Sequence, residues 1–273
     1  MASTHDYIAD KRNKDILIYI NGEFFHRSDA KVSVFDSGFL LGDGVWEGIR
    51  LHKNSLIHFD QHINRLYAGA DAIAMKIQLN KNELKDAVRL TLEKNAMHSD
   101  THIRLIVSRG IKSTPYQHPK VTIGDPTIVI IPEYKKPNSE VFDIGIRLAS
   151  VKTKRDNMVQ DPKINSLSKM NCISACIEAD RLGVDEGLMF DPNGFVSTCN
   201  STNFFIVKEN EVWTSTGEFC LNGVTRGSVI KLCMSNNIKV FEKDFLINDV
   251  YNADEAFVTG TFSGIIPVVE IDG

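Results

Sequence analysis

Ile16-Leu17-Ile18-Tyr19-Ile20-Asn21-Gly22-Glu23-Phe24-Phe25-His26 joins two runs rich in β-formers through Asn-Gly. That dipeptide favours a two-residue hairpin turn, because both central positions need positive φ. The chain therefore opens with antiparallel strands. Downstream, Asp60 stands as a candidate N-cap before Ile63, Leu66, Ala70 and Ile73, whose spacing marks an amphipathic helix. A second helix is expected over Glu83–Asn95 with the stripe Leu84, Val88 and Leu92, followed by strands at Thr101–Ser108 and Thr127–Glu133.

Lys135, Lys136, Pro137, Asn138 and Ser139 then break the apolar pattern with charge, proline and turn formers. This places a small N-terminal domain at 1–134, a linker at 135–143 and a larger C-terminal domain at 144–273. In the second half a strand is expected at Ile144–Ser150 and a helix at about Ser168–Leu182. Hairpins follow around Asp191-Pro192-Asn193-Gly194 and Lys208-Glu209-Asn210, then a helix at about Thr225–Asn236 and a strand at Glu255–Thr259. Hairpins mixed with a few helices, without a fixed-period repeat, predict an α+β fold.

A length of 273 residues supports a core that needs no disulfides, and 42% hydrophobic with 24% charged residues argues against disorder. A net charge of -4 and a pI near 6.1 give no general attraction to nucleic acid or anionic membranes. Apolar runs such as Ile128–Ile131 are strand-sized, far short of the roughly 20 residues of a membrane span. Met1–Lys14 has no apolar h-region, so a cytoplasmic location is expected. Five cysteines without metal-ligand spacing point to reduced thiols and no metal site.

Several segments carry candidate chemistry. Gly42-Asp43-Gly44-Val45-Trp46-Glu47-Gly48-Ile49-Arg50 does not have the spacing of a dinucleotide loop and reads alone as a bend between strands. Arg65 is either a solvated mid-helix residue or a phosphate-binding fork. Gly223-Val224-Thr225-Arg226 opens a helix whose N–H groups suit an anion, and Thr259-Gly260-Thr261-Phe262-Ser263 is a hydroxyl-rich loop suited to complete the cradle. Lys163 and Lys169 flank a loop-to-helix junction, either as surface residues or as a positioned amine.

Taken in order, Ile18–Gly22, Gly42–Arg50, His62-Ile63-Asn64-Arg65-Leu66, Ile177-Glu178-Ala179 with Asp185-Glu186-Gly187, Asp191–Phe205, Gly223–Arg226 and Asp254–Pro267 resemble the class IV, or fold-type IV, pyridoxal-phosphate enzymes. These include branched-chain and D-amino-acid aminotransferases. The resemblance implies two α/β domains with pyridoxal 5'-phosphate between them and a homodimer. It implies that Arg65, Val224, Thr225 and Thr261, Phe262 and Ser263 hold the cofactor phosphate. Leu41 and Trp46 are implied to line the substrate pocket.

Two positions depart from the family pattern. Counting back from Ile177-Glu178-Ala179, the Schiff-base lysine of relatives falls at Asn165, or at Ile164 with a longer loop. The carboxylate that normally faces the pyridine nitrogen is replaced by Thr198. Lys169 aligns with a tyrosine that branched-chain aminotransferases place near the cofactor, and a helix would bring it one turn beyond Asn165. It is the preferred replacement, with Lys163 as competitor. The activity implied is amino-group transfer between an amino acid or amine and a 2-oxo acid. The alternatives are a pyridoxal-phosphate lyase or racemase-like enzyme, favoured by Thr198, and an inert cofactor-binding homologue.

Overall fold

The computed structural model describes Thr4 and residues 7–273, so part of the Met1–Lys14 stretch lies outside the described residues. The chain divides into two compact units. One comprises residues 7–136 and 164–169; the other comprises 137–163 and 170–273, together with Thr4.

In the first unit, Leu17–Ile20 (β1) and Glu23–His26 (β2) form the expected hairpin, with Asn21 at φ 50 and Gly22 at φ 98 in the turn. They join Gly44–His52 (β3), Ser55–Leu56 (β4), Thr101–Ser108 (β5) and Thr127–Tyr134 (β6) in a six-stranded sheet ordered β2-β1-β6-β5-β3-β4. Every pairing in it is antiparallel. Alternation sends Val45, Ile49, Leu51, Ile103, Leu105, Val107, Ile128 and Ile130 to one face, where two helices cover them. These are Phe59–Ala72 (α2), which inserts Phe59, Ile63, Leu66 and Ala70, and Lys81–Lys94 (α3), which inserts Leu84, Val88 and Leu92. The helices start differently. A capping box of Asn80 and Glu83 begins α3, whereas His58 in the left-handed region begins α2 without a side-chain cap. Asp60, expected at the N-cap, instead lies inside the first turn and faces Lys85.

A short helix, Ser37–Leu41 (α1), precedes β3 and was not signalled by periodicity, being five residues long. Asp36 caps its start, and Gly42 ends it at φ 68. The bend expected over residues 42–50 is thus confined to the helix end. From Gly44 onward the chain is a continuous strand, because Val45, Glu47, Ile49 and Leu51 all find inward places.

The second unit contains a mixed eight-stranded sheet. In chain order its strands are Ile146–Ser150 (β7), Glu186–Phe190 (β8), Val196–Cys199 (β9), Asn203–Lys208 (β10), Glu211–Thr214 (β11), Lys239–Glu242 (β12), Glu255–Gly260 (β13) and Gly264–Ile271 (β14). Their spatial order is β9-β8-β7-β14-β13-β10-β11-β12. Glu140–Ile144 (α4) precedes β7, so the strand begins later than residue 144. Met170–Leu182 (α5), Val224–Ser235 (α6) and Ile247–Tyr251 (α7) complete the unit. Ile146, Leu148, Leu188, Phe204, Ile206 and Val258 form its main core, and Phe205 stacks on Phe257 beside Val229 and Ile230 of α6.

Candidate active site

On β3 the inward positions read Val45, Glu47, Ile49, Leu51, which puts a carboxylate with no solvent exposure into an apolar core. An isolated buried charge is costly, so partners must surround it. Both come from α2, where His62 and Arg65 sit on the stripe side of the helix. Arg65 engages Glu47 through Nε and Nη2, each 2.8 Å from a carboxylate oxygen, and His62 Nδ1 lies 2.7 Å from Oε2. Burial pushes the Glu47 carboxyl up, but the hydrogen bonds and charges of Arg65 and His62 outweigh it, and the net direction is down. Arg65 is therefore oriented by a fixed bidentate contact. Sequence reasoning missed Glu47 and His62. The available signal was a charged residue in register with inward apolar positions.

The preceding residue, Trp46, faces the other side of the sheet. There the segment 164–169 pairs with the edge of β3 that short β4 leaves open: Trp46 N donates to Asn165 O at 3.0 Å, and Leu167 N donates to Gly44 O at 2.9 Å. Asn165 Nδ2 donates to Trp46 O at 2.7 Å, and Trp46 Nε1 donates to Ser166 O at 3.1 Å. Lys169 Nζ donates to Asn165 Oδ1 at 3.1 Å and lies 5.3 Å from the Trp46 ring centroid. Arg104 of β5 lies over the same ring at 3.7 Å.

The route by which Lys169 reaches Asn165 corrects the expectation. Helix α5 starts only at Met170, so the two residues do not share a helical face. Strand pairing takes the backbone groups of 165–167, and the extended segment with its bend brings the side chains together. Ile164 packs against the first core, so its side chain lies away from this cluster. Lys163 belongs to the other unit, is exposed, and pairs with Glu218 at 3.2 Å. Leu41, at the end of α1, is 46% exposed.

The remaining predicted residues lie in the second unit. Thr198, buried on β9, donates its hydroxyl to Thr202 O at 2.7 Å. That commits its only proton to the backbone. Beside it, buried Glu186 accepts from Ser201 and Thr202 hydroxyls at 2.8 Å and from Thr4. Helix α6 begins at Gly223 with no side-chain cap, which leaves the first-turn N–H groups of Val224 and Thr225 without that partner. A Cβ on Gly223 would stand 2.2 Å from Asn203 Oδ1, so a larger residue here would have to displace the buried Asn203 carboxamide, whose Nδ2 donates to Leu221 O at 2.9 Å. Arg226 turns inward to Ser215 O and Glu242 at 2.6 and 2.7 Å. Thr261, Phe262 and Ser263 form the turn between β13 and β14; Ser263 Oγ donates to Thr4 O at 2.5 Å. Thr259 Oγ1, at the end of β13, is buried with no partner among the described residues.

Residues 44–271 match the family described as amino-transferase class IV. The chain belongs to the class IV aminotransferases. A Methanocaldococcus jannaschii protein, named provisionally as a branched-chain-amino-acid aminotransferase, is 41% identical over 94% of this chain and 88% of its own length. Branched-chain-amino-acid aminotransferase-like protein 2 of Arabidopsis thaliana is 37% identical over 96% of this chain, which spans about half of that relative's length, 47%. Among solved structures, the branched-chain aminotransferase of the thermophilic archaeon Thermoproteus uzoniensis, solved with norvaline, superposes with a TM-score of 0.85 at 28% identity. The match covers 94% of this chain and 88% of that one. The α+β, fold-type IV architecture expected from the sequence is thereby the fold of this class IV chain.

Proposed function

We propose that this chain is a pyridoxal-phosphate-dependent aminotransferase that works as a homodimer and moves an amino group between an amino acid or amine and a 2-oxo acid, with Lys169 replacing the family lysine. The observation that carries the proposal is the contact between Lys169 Nζ and Asn165 Oδ1, 3.1 Å. A primary amine thus stands at the side chain of the position from which relatives present theirs.

The residues present fit the cofactor. A phosphate dianion takes N–H and hydroxyl donors, and the second unit offers the uncapped first turn of α6 at Val224 and Thr225, the buried hydroxyl of Thr259, and the turn 261–263. Arg65, which the family resemblance assigns to the phosphate, has its guanidinium already oriented by Glu47 within the first unit. When bound, the cofactor supplies an aldehyde that condenses with amines and a conjugated ring that accepts the electron pair left when an α-proton departs.

The chain's own groups then have defined tasks. Lys169 Nζ is the nucleophile that holds the cofactor and the base that takes and returns the α-proton. Trp46 and Leu41 shape the space around the substrate, and the indole, fixed by Arg104 and by Ser166 O, excludes water from one side of the amine. Thr198 offers lone pairs and no acidic proton at the place of the family carboxylate. That single departure favours a second reading, a lyase or racemase-like reaction on the same cofactor, because an unprotonated pyridine accepts electrons less readily.

Borohydride reduction of cofactor-loaded protein followed by peptide mass spectrometry is expected to find the pyridoxyl adduct on Lys169. Lys169→Ala is expected to lose both adduct and turnover. An adduct on Lys163 transfers the role upstream, and no adduct leaves the inert homologue. Release of ammonia or pyruvate in place of amino transfer selects the lyase.

A further inference from the structure

We infer that Asn165 is a positioning residue, holding the Lys169 amine through its carboxamide oxygen while Trp46 fixes the carboxamide itself. Its meaning for catalysis rests on the assignment of Lys169 above; the contact does not.

The orientation of the carboxamide follows from its neighbours. The Trp46 carbonyl can only accept, so the amide nitrogen of Asn165 must face it, at 2.7 Å, and Oδ1 is turned to the Lys169 amine at 3.1 Å. Asn165 is 6% exposed, and its backbone carbonyl is held by Trp46 N at 3.0 Å, so neither end of the side chain is free to drift. Trp46 is itself restrained by its indole N–H bond to Ser166 O. The result is a relay of fixed contacts, from β3 through Asn165, to the end of a long flexible side chain.

The chemical type matters as much as the place. A nucleophilic amine must spend part of its time uncharged. An amide oxygen orients the amine without adding negative charge, whereas an aspartate in the same position would hold it protonated. Asparagine at 165 thus suits an amine that has moved to 169. The other charged group on the Trp46 ring, Arg104, is unaltered in the variants below.

The test is trace acetylation of the full chain, first without cofactor, using acetic anhydride at pH 8. Labelling of Lys169 is read by peptide mass spectrometry relative to exposed Lys231 in the same molecules. Asn165→Asp is expected to lower Lys169 labelling about tenfold, the effect of an opposite charge that raises an amine pKa by about one unit. Asn165→Leu removes the acceptor and is expected to raise labelling about two- to threefold. Opposite responses mark a direct contact, since loss of local structure would move both variants the same way. Changes of under about twofold in both variants, or changes of the same sign, overturn the positioning role. Adduct mapping on the cofactor-loaded protein is the separate arm. An adduct away from Lys169 ends the catalytic assignment, while the labelling still reports whether Asn165 holds the amine.

Discussion

A carboxylate with no solvent exposure needs counter-charge and hydrogen bonds, and Glu47 has the Arg65 guanidinium and the His62 ring nitrogen beside it. Glu47→Gln keeps the volume but leaves the Arg65 guanidinium, whose side chain is only 19% exposed, without its counter-charge. Removing one partner of a buried pair costs about 3–5 kcal/mol, and the partial exposure of Arg65 puts the expected loss near the lower end. Urea unfolding of the variant measures it; a loss below about 1 kcal/mol would show that the pair is worth no more than a surface ion pair. At this scale residue type was legible before geometry. Arg65 was singled out from the sequence because a guanidinium suits phosphate, and Thr198 and Lys169 because the family resemblance sets them where relatives carry a carboxylate and a tyrosine. Glu47 was hidden because its partners come from a different element. The contact of Asn165 with Lys169 was anticipated for a helical reason that does not operate.

Elements defined by local chemistry were readable for that reason: the Asn21-Gly22 hairpin, and the alternating strand Thr101–Ser108, whose bounds agree with the expectation. The capped helix ending at Lys94 was also legible, and starts two residues earlier than expected. Elements fixed by distant pairing were not, and the segment 164–169 is the main case, its extended path set by the open edge of β3. Two glycines make this testable with opposite signs. A Cβ on Gly44 would lie 2.5 Å from Val107 O and 2.7 Å from Leu167 Cδ1, so Gly44→Ala must displace either β5 or the segment that carries Lys169. It is expected to destabilise by about 1–3 kcal/mol, as overpacking does. Gly227, inside α6, has nothing within 4 Å of its Cβ position. Gly227→Ala is expected to stabilise by about 0.5–1 kcal/mol, because alanine loses less backbone entropy in a helix. Thermal unfolding of both variants checks the pair; a shift of the same sign in both would show that local space at these positions does not govern their effect.

For the whole molecule, ionisable groups in both units set a pH window for stability. On the acid side, Glu47 is held below the usual carboxylate range despite its burial, by Arg65 and His62. Asp10 is lowered to about 2 by Arg12, Glu178 is lowered chiefly by the Thr153 hydroxyl, and Asp249 chiefly by Lys208. A depressed folded-state value means that the unfolded chain binds protons first, so this contribution is present above about pH 4 and is lost as pH falls through the folded values. On the alkaline side burial raises the thiols of Cys199 and Cys220 and pushes the Tyr67 phenol up to about 12. These groups hold protons that the unfolded chain releases, from about pH 8.5 for thiols and about 10 for phenols, so their contribution disappears as pH rises. The free energy of unfolding in urea is therefore expected to be level between about pH 5 and 8 and to fall on both sides. Glu47→Gln is expected to flatten the acid limb and Cys199→Ala the alkaline one, each by removing a group whose proton binding differs between the two states. An acid limb with the same slope in Glu47→Gln as in the parent would take Glu47 out of the linkage and leave acid sensitivity to the surface carboxylates.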